Sequence, residues 1–182
     1  AVDYTASMLA EARRNAGVLA GKIDFRQMNA EELLFADGSF DVLVTRNVTW
    51  NLHAPEKAYG HWTRVLAPGG LLLNFDANWY RYLWDEQAQL AHSADRENLS
   101  RSDVRDETAG TNVDAMERIA RQTPLSMRHR PDWDLWVLEK LGVQAAADEQ
   151  IWRQVWTREE RVNNASTPMF LIEGRKPWLW EN

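Results

Sequence analysis

The chain has 182 residues, 45% of them hydrophobic and 26% charged, with a formal net charge of −6. That size and apolar content suit one domain with a real core, and the lack of any basic tract argues against nucleic acid or an anionic membrane as partner. No cysteine is present, which excludes disulfides and thiolate metal sites and is compatible with a reducing cytoplasm, the expected location.

The opening stretch "AVDYTASML" (1–9) reads as the end of a strand, an acid at Asp3 and a helix start capped by Thr5 or Ser7. The helix is expected from Thr5 to Ala16, with Met8, Leu9, Ala12 and Ala16 on one stripe and Gly17 as its stop. "KIDFRQMNA" (22–30) follows as a short strand alternating at Ile23 and Phe25. "FDVLVTR" (40–46) is a stronger strand, continuous in apolar residues as in a sheet covered on both faces. "PEKAYGHWTRVL" (55–66) is an amphipathic helix with Pro55 in its first turn and Ala58, Trp62, Val65 and Leu66 inward. "APGG" then breaks the chain before the buried strand "LLLNF" (71–75). Residues 77–131 depart from this alternation: two charged helical stretches flank the loop "RDETAGTN", giving a helical insertion within one domain spanning 1–182. An insertion after a strand's carboxyl end sits over the ligand crevice of an α/β sheet, so it is a candidate lid. "DWDLWVLEKLG" (132–142) is a helix, "EQIWRQVW" (149–156) a strand, and "PMFLIEGRK" (168–176) a final strand. Two strands joined without a helix pair antiparallel if they are neighbours. The order predicts a doubly wound, mostly parallel α/β sheet.

Three stretches carry a family resemblance: "VDYTASMLAEAR" (2–13), "NAEELLFADGSFDVLVTRNVTWNL" (29–52) and "HWTRVLAPGGLLLNFD" (61–76). Their order and spacing resemble class I S-adenosylmethionine-dependent methyltransferases of the type 11, small-molecule branch. The resemblance implies a Rossmann-like sheet with the last strand antiparallel, S-adenosylmethionine as cofactor, and methyl transfer to a small-molecule acceptor. It also implies a first strand and a glycine-rich turn about 20 residues ahead of Asp3. Nothing in the sequence precedes Asp3 far enough to supply them, so the domain is expected to be N-terminally truncated. The missing strand would lie between the strand ending at Asp3 and the strand of Val42–Val44, and three outcomes are open: an upstream segment fills the gap, another copy completes the sheet as a homo-oligomer, or the two neighbours pair directly. Alone, such a chain is expected to bind the cofactor poorly and to show little activity.

By the same resemblance, Asp3 accepts hydrogen bonds from the ribose diol, Tyr4 lies against the adenine, Asn29 accepts from the adenine amino group where the family has aspartate, and Ala30 offers its backbone N–H to a ring nitrogen. Arg46 and Asn47 end the best strand where the methionine half of the cofactor belongs; Arg46 is equally a strand-end ion-pair partner. Trp50, Asn51 and His53 follow near the transferable methyl group. "NFDANWY" (74–80) adds Asp76, Asn78, Trp79 and Tyr80 as an acceptor pocket, the two aromatics being alternatively anchors for the inserted helices. Asp76 and His53 are the two candidate bases, His53 also reading as a surface histidine. No histidine has metal-like spacing with acids, so no metal is expected. "RHRP" (128–131) is a basic spot, either solvated or paired with an anionic substrate group.

Two rival classes fit parts of the pattern. A non-catalytic binding module on the same fold explains the missing glycine turn and the ten tryptophans. A nicotinamide-dependent oxidoreductase explains the sheet but requires the Gly-x-Gly-x-x-Gly that this chain lacks.

Overall fold

The computed structural model describes residues 1–178. Strand β1 (Val2–Asp3) pairs in parallel with β2 (Arg26–Gln27), and between them run helix α1 (Ala6–Ala16) and a 3₁₀ stretch ending at Lys22. The strand expected over 22–30 thus shortens to two residues. Thr5 is the N-cap of α1, as its position predicts, but its side chain caps nothing, and no residue of α1 is buried.

The main sheet contains β3 (Phe40–Arg46), β4 (Leu66–Asp76), β5 (Gln144–Asp148) and β6 (Phe170–Arg175) in the order β3-β4-β6-β5. β3 and β4 run parallel, with Val44 opposite Leu73, while β6 is antiparallel to both β4 and β5. β1 and β3 belong to separate sheets, so they do not pair directly. The turn expected at "APGG" is a bulge inside β4: Phe40 pairs with Leu66 and Val42 with Leu71, leaving residues 67–70 to bow out. Gly69 is required there. Its φ is 77°, a left-handed value, and the Trp178 indole occupies the space a Cβ would need.

Helix α2 (Pro55–Val65) starts on Pro55, whose missing N–H costs nothing in a first turn, and runs without a linker into β4. Ala58, Tyr59, Trp62 and Val65 recur at helical spacing and are buried against Leu66, Leu72 and Ile172. Side chains of this kind contribute about 1.5–3 kcal/mol each on burial. Helix α5 (Asp132–Lys140) adds Val137 and Leu138 to the same layer. On the opposite face of the sheet, Val42 and Val44 of β3 are exposed.

The insertion holds a 3₁₀ turn (Arg81–Leu83), helix α3 (Glu86–Ser100) and helix α4 (Val113–Ala120). Both helices start on acceptor side chains: Asp85 accepts from the Ala88 N–H at 2.8 Å, and Asn112 from the Ala115 N–H at 2.9 Å. The strand expected over 149–156 is instead helix α6 (Trp152–Val155), followed by α7 (Arg158–Asn163) with a Thr157/Glu160 capping box. Ile151 and Val155, and Trp152 and Trp156, are four apart, a helical period that also looks like alternation over so few residues. The true strand, β5, is "QAAAD", whose alanines carry no strand signal. The last two strands therefore pair antiparallel, as expected, but through helices rather than directly.

Candidate functional site

The carboxyl ends of β3 and β4 meet at Asn47, the one non-glycine residue at positive φ (55°) among the described residues. Asparagine tolerates this left-handed turn better than most side chains. The Asn47 N–H donates to Phe75 O at 2.9 Å, locking the end of β3 onto β4. The chain then enters a 3₁₀ turn (Thr49–Asn51). The Trp50 indole Nε1 donates to Asn47 O at 3.1 Å, and its backbone N–H donates to Asp76 Oδ2 at 2.8 Å.

Asp76, at the end of β4, is fully buried and accepts three further bonds. They come from the Ala77 N–H at 2.9 Å, Trp79 Nε1 at 3.1 Å and Arg130 Nη1 at 2.9 Å. Burial pushes its carboxyl above the usual range, and Arg130 opposes that push. One carboxylate thus holds Trp50 and Trp79 in place.

Arg130 extends the network inward. Read from sequence as part of a basic surface spot, it is buried, with Nε and Nη2 both 2.8 Å from the Asp134 carboxylate. Asp134 accepts from the Tyr59 hydroxyl at 2.7 Å, and Tyr59 accepts from Asn74 Nδ2 at 2.8 Å. Asn74 Oδ1 in turn accepts from the Thr45 and Thr49 hydroxyls at 2.7 and 3.0 Å. Burial first, and then the Asp134 charge, drive the Tyr59 hydroxyl well above its ordinary range, so it stays a donor. The three charges of this network, Asp76, Arg130 and Asp134, are all paired and hydrogen-bonded, the condition for tolerating charge in a core. Arg130, Asp134 and Tyr59 had no motif to announce them. The i,i+4 spacing of Arg130 and Asp134 was the available signal.

Above this floor lies a cavity of about 520 Å³. Asn47, Trp50, Trp79 and Tyr80 line it from the strand ends. The insertion contributes Tyr82, His92 and Met116, and α7 contributes Glu160. The rings form a continuous wall: Trp50 and Tyr80 centroids are 5.1 Å apart, Tyr80 and Tyr82 6.0 Å, and Tyr82 stacks on His92 at 3.9 Å with the planes 2° apart. The Tyr82 hydroxyl donates to Glu117 Oε1 at 3.0 Å. Leu90 and Ile119, two apolar residues of the inserted helices, are exposed outside the cavity. Arg46 forms an ion pair with Glu160 at the rim, in keeping with its reading as a strand-end ion-pair partner.

The other expected site residues sit elsewhere. Asn78 donates to Arg130 O at 2.8 Å, which anchors the insertion. Asn51 is exposed on the 3₁₀ turn. His53 is exposed too, and its backbone N–H is held by Glu31, whose carboxylate also accepts from the Ala54 N–H at 3.0 Å. Glu31 therefore clasps the loop after β3 to the segment after β2. In that N-terminal wall, the Asp3 O accepts from the Met28 N–H at 2.9 Å. Asp3 Oδ1 accepts from the Thr5 N–H and hydroxyl at 2.8 and 3.0 Å, and Oδ2 has no partner among the described residues. Tyr4 is 72% exposed. The Asn29 Oδ1 accepts from the Glu31 N–H at 2.9 Å, so the oxygen expected to face an adenine amine is occupied and the amide NH₂ remains. The Ala30 O accepts from Trp62 Nε1 at 2.9 Å, which fixes that loop on the core.

Residues 1–74 match the family model described as "Methyltransferase domain". A ubiquinone/menaquinone biosynthesis C-methyltransferase, UbiE, of Pseudoalteromonas translucida is 43% identical over 74 residues, which is 39% of this chain and 29% of that protein. The chain thus spans under a third of that curated relative. A putative methyltransferase from Bacillus halodurans superposes with a TM-score of 0.56 over 97% of this chain and 81% of its own, at 17% identity. The chain has a class I methyltransferase fold. A geranyl diphosphate C-methyltransferase from Streptomyces coelicolor, solved with Mg²⁺, geranyl diphosphate and S-adenosyl-L-homocysteine, shares that fold at 12% identity and a TM-score of 0.55, over 96% of this chain and 61% of its own.

The sequence match and the cavity fall largely on different parts of the chain. The segment that matches relatives in sequence supplies Asp3, Tyr4, Asn29, Ala30 and Asn47. Apart from Asn47 and Trp50, the cavity is lined by residues beyond 74, where the family model does not reach. Among the described residues no group of three or more His, Cys, Asp or Glu side chains comes together, and no helix is long and apolar enough to cross a membrane.

Proposed function

We propose that the protein uses S-adenosylmethionine to methylate a small molecule held in the cavity under the insertion. The observation that carries this reading is the position of that cavity. It opens at Asn47, on the carboxyl edge of β3 and β4, where open α/β sheets bind their ligands. The matched residues stand on the same side: Asp3 is bonded to Met28, Asn29 to Glu31, and Glu31 to the loop that follows β3.

The donor set fits an adenosyl group. Asp3 keeps one free carboxylate oxygen for a ribose hydroxyl, Tyr4 presents an open ring for an adenine face, and the Asn29 amide NH₂ offers a donor to a ring nitrogen. When bound, S-adenosylmethionine supplies a methyl group already electrophilic on its sulfonium. The chain's own residues then bind, orient and exclude water. Asp76 acts as a positioning residue for Trp50 and Trp79, since its oxygens already accept four hydrogen bonds. The insertion serves as the lid over the acceptor. The aromatic wall favours a flat, apolar acceptor, in keeping with the UbiE relative's naming for quinone biosynthesis.

Isothermal titration of the chain with S-adenosyl-L-homocysteine, and separately with NADH, tests the reading. Weak but saturable heat with the first alone is the expected result, in line with the poor binding expected of the chain by itself. Heat with NADH alone would point to an oxidoreductase, and heat with neither to a binding module.

A further inference from the structure

His92 has no part in the sequence reading and none in the network under the cavity, yet it stands in the cavity wall. One face of its ring is covered by Tyr82 at 3.9 Å, with the planes parallel. Tyr82 is itself held by its bond to Glu117 on α4. Among the described residues neither ring nitrogen of His92 has a hydrogen-bond partner. Of the other polar groups in the wall, Glu160 is engaged with Arg46 and Tyr82 with Glu117, while the Tyr80 hydroxyl, also without a partner among the described residues, is a weak base held neutral by burial. The two candidate bases read from the sequence do not compete. Asp76 has four donors on it, and His53 lies outside the cavity.

We infer that His92 is the catalytic base of this site, accepting the proton of a hydroxyl group on a flat-ringed acceptor stacked against Trp50 and Tyr80. This rests on the methyl-transfer reading above. The proton passes from the acceptor oxygen to a ring nitrogen of His92, leaving the electron pair on the acceptor, and no electrons are exchanged. The resulting oxyanion is the stronger nucleophile toward an electrophilic methyl group, and the imidazolium returns its proton to solvent afterwards.

The surroundings suit the task. Burial, seconded by Arg96 on the same helix, lowers the His92 pKa, while Asp95 on α3 and Glu117 on α4 raise it. The balance is downward, so the ring is neutral and ready to accept a proton at pH 7. Of the other groups on the cavity, Tyr80 and Tyr82 are both pushed upward in pKa by burial and so remain neutral. Glu107, in the loop after α3, and the Arg46–Glu160 pair complete the charged rim.

The test uses 4-nitrophenol, whose phenolate and phenol absorb differently, with the cofactor-free chain just below neutral pH. The expected result is that the wild type binds the probe as phenolate while the His92 ring-proton resonances move to imidazolium positions. His92→Gln should bind the probe as the neutral phenol, with the phenolate absorbance lost. Tyr82→Phe keeps the stack and removes the Glu117 bond, so it should retain most of the phenolate signal. A wild type that binds only neutral phenol, a phenolate fraction unchanged in His92→Gln, or no shift at His92 would each overturn the proposal. Titration with S-adenosyl-L-homocysteine separates the two claims: its binding should be the same in wild type and His92→Gln. Failure of that ligand in both would refute the cofactor reading and leave the probe result to judge His92.

Discussion

Residues 1–35 and residues 76–131 both reach the carboxyl edge of the strands, but they are built in opposite ways. The N-terminal wall has two-residue strands, a helix with no buried residue and an exposed Tyr4. Its contacts with the rest run through its last few residues: Glu31 and Trp62 bonds, the Arg64 guanidinium on the Leu33 and Phe35 carbonyls, the Lys57–Glu32 ion pair, and Leu33 buried in the main core. The insertion wall is founded on a fully buried carboxylate and arginine and closes a real cavity. The first wall resembles known methyltransferases in sequence, and the second does not extend that match. Family likeness in sequence therefore lies in the loosely packed wall, while most of the packed wall that closes the cavity lies beyond it.

The comparison breaks most readily at Arg130. Replacing it with Met leaves Asp76 and Asp134 buried without their counter-charge, and should cost about 3–5 kcal/mol in urea denaturation. A loss below about 1 kcal/mol would show that the insertion wall is no firmer than the N-terminal one. Asp3→Ala should have the inverse signature. Its stability change should stay within about 0.5 kcal/mol, because the residue is only half-buried and its carboxylate bonds only to Thr5 among the described residues. Its affinity for S-adenosyl-L-homocysteine should fall about tenfold or more, the value of a hydrogen bond to a charged group. Tyr80→Ala removes one ring of the wall and should cost about 0.5–1.5 kcal/mol beyond its buried area. It should leave cofactor affinity unchanged, since Tyr80 lies on the acceptor side.

The smallest effect is one of pH. Burial holds the His92 pKa below that of an unfolded histidine, about 6.5. Unfolding therefore takes up a proton at mildly acid pH, and stability falls as pH drops below the unfolded value toward the folded one. Denaturation midpoints followed through this window should lose that part of their slope in His92→Gln.

The sheet was legible because its signals are local. The continuous run Val42–Val44, the Pro55 helix start and the apolar period of α2 each declare one element, and β6 is a plain apolar strand. The failures have physical causes. β5 is mostly alanine, and Trp152 with Trp156 fits two periods at once. Of the site, Asn47, Trp50, Trp79 and Tyr80 were placed together by their position after strand ends. Arg130 was not, because burial of an arginine depends on Asp76, 54 residues away, and no window of sequence contains both. His92 is one more polar residue on a charged helix until Tyr82 is seen stacked on it.

On the proposed reading, the N-terminal wall and the strand edge at Asn47 together hold an adenosyl cofactor. NMR titration of the amide resonances with S-adenosyl-L-homocysteine tests it most directly and detects weak binding. The expected result is saturable shifts concentrated at Tyr4, Ala30 and Asn47, diminished in Asp3→Ala. Shifts that avoid these residues, or that NADH reproduces, would contradict it.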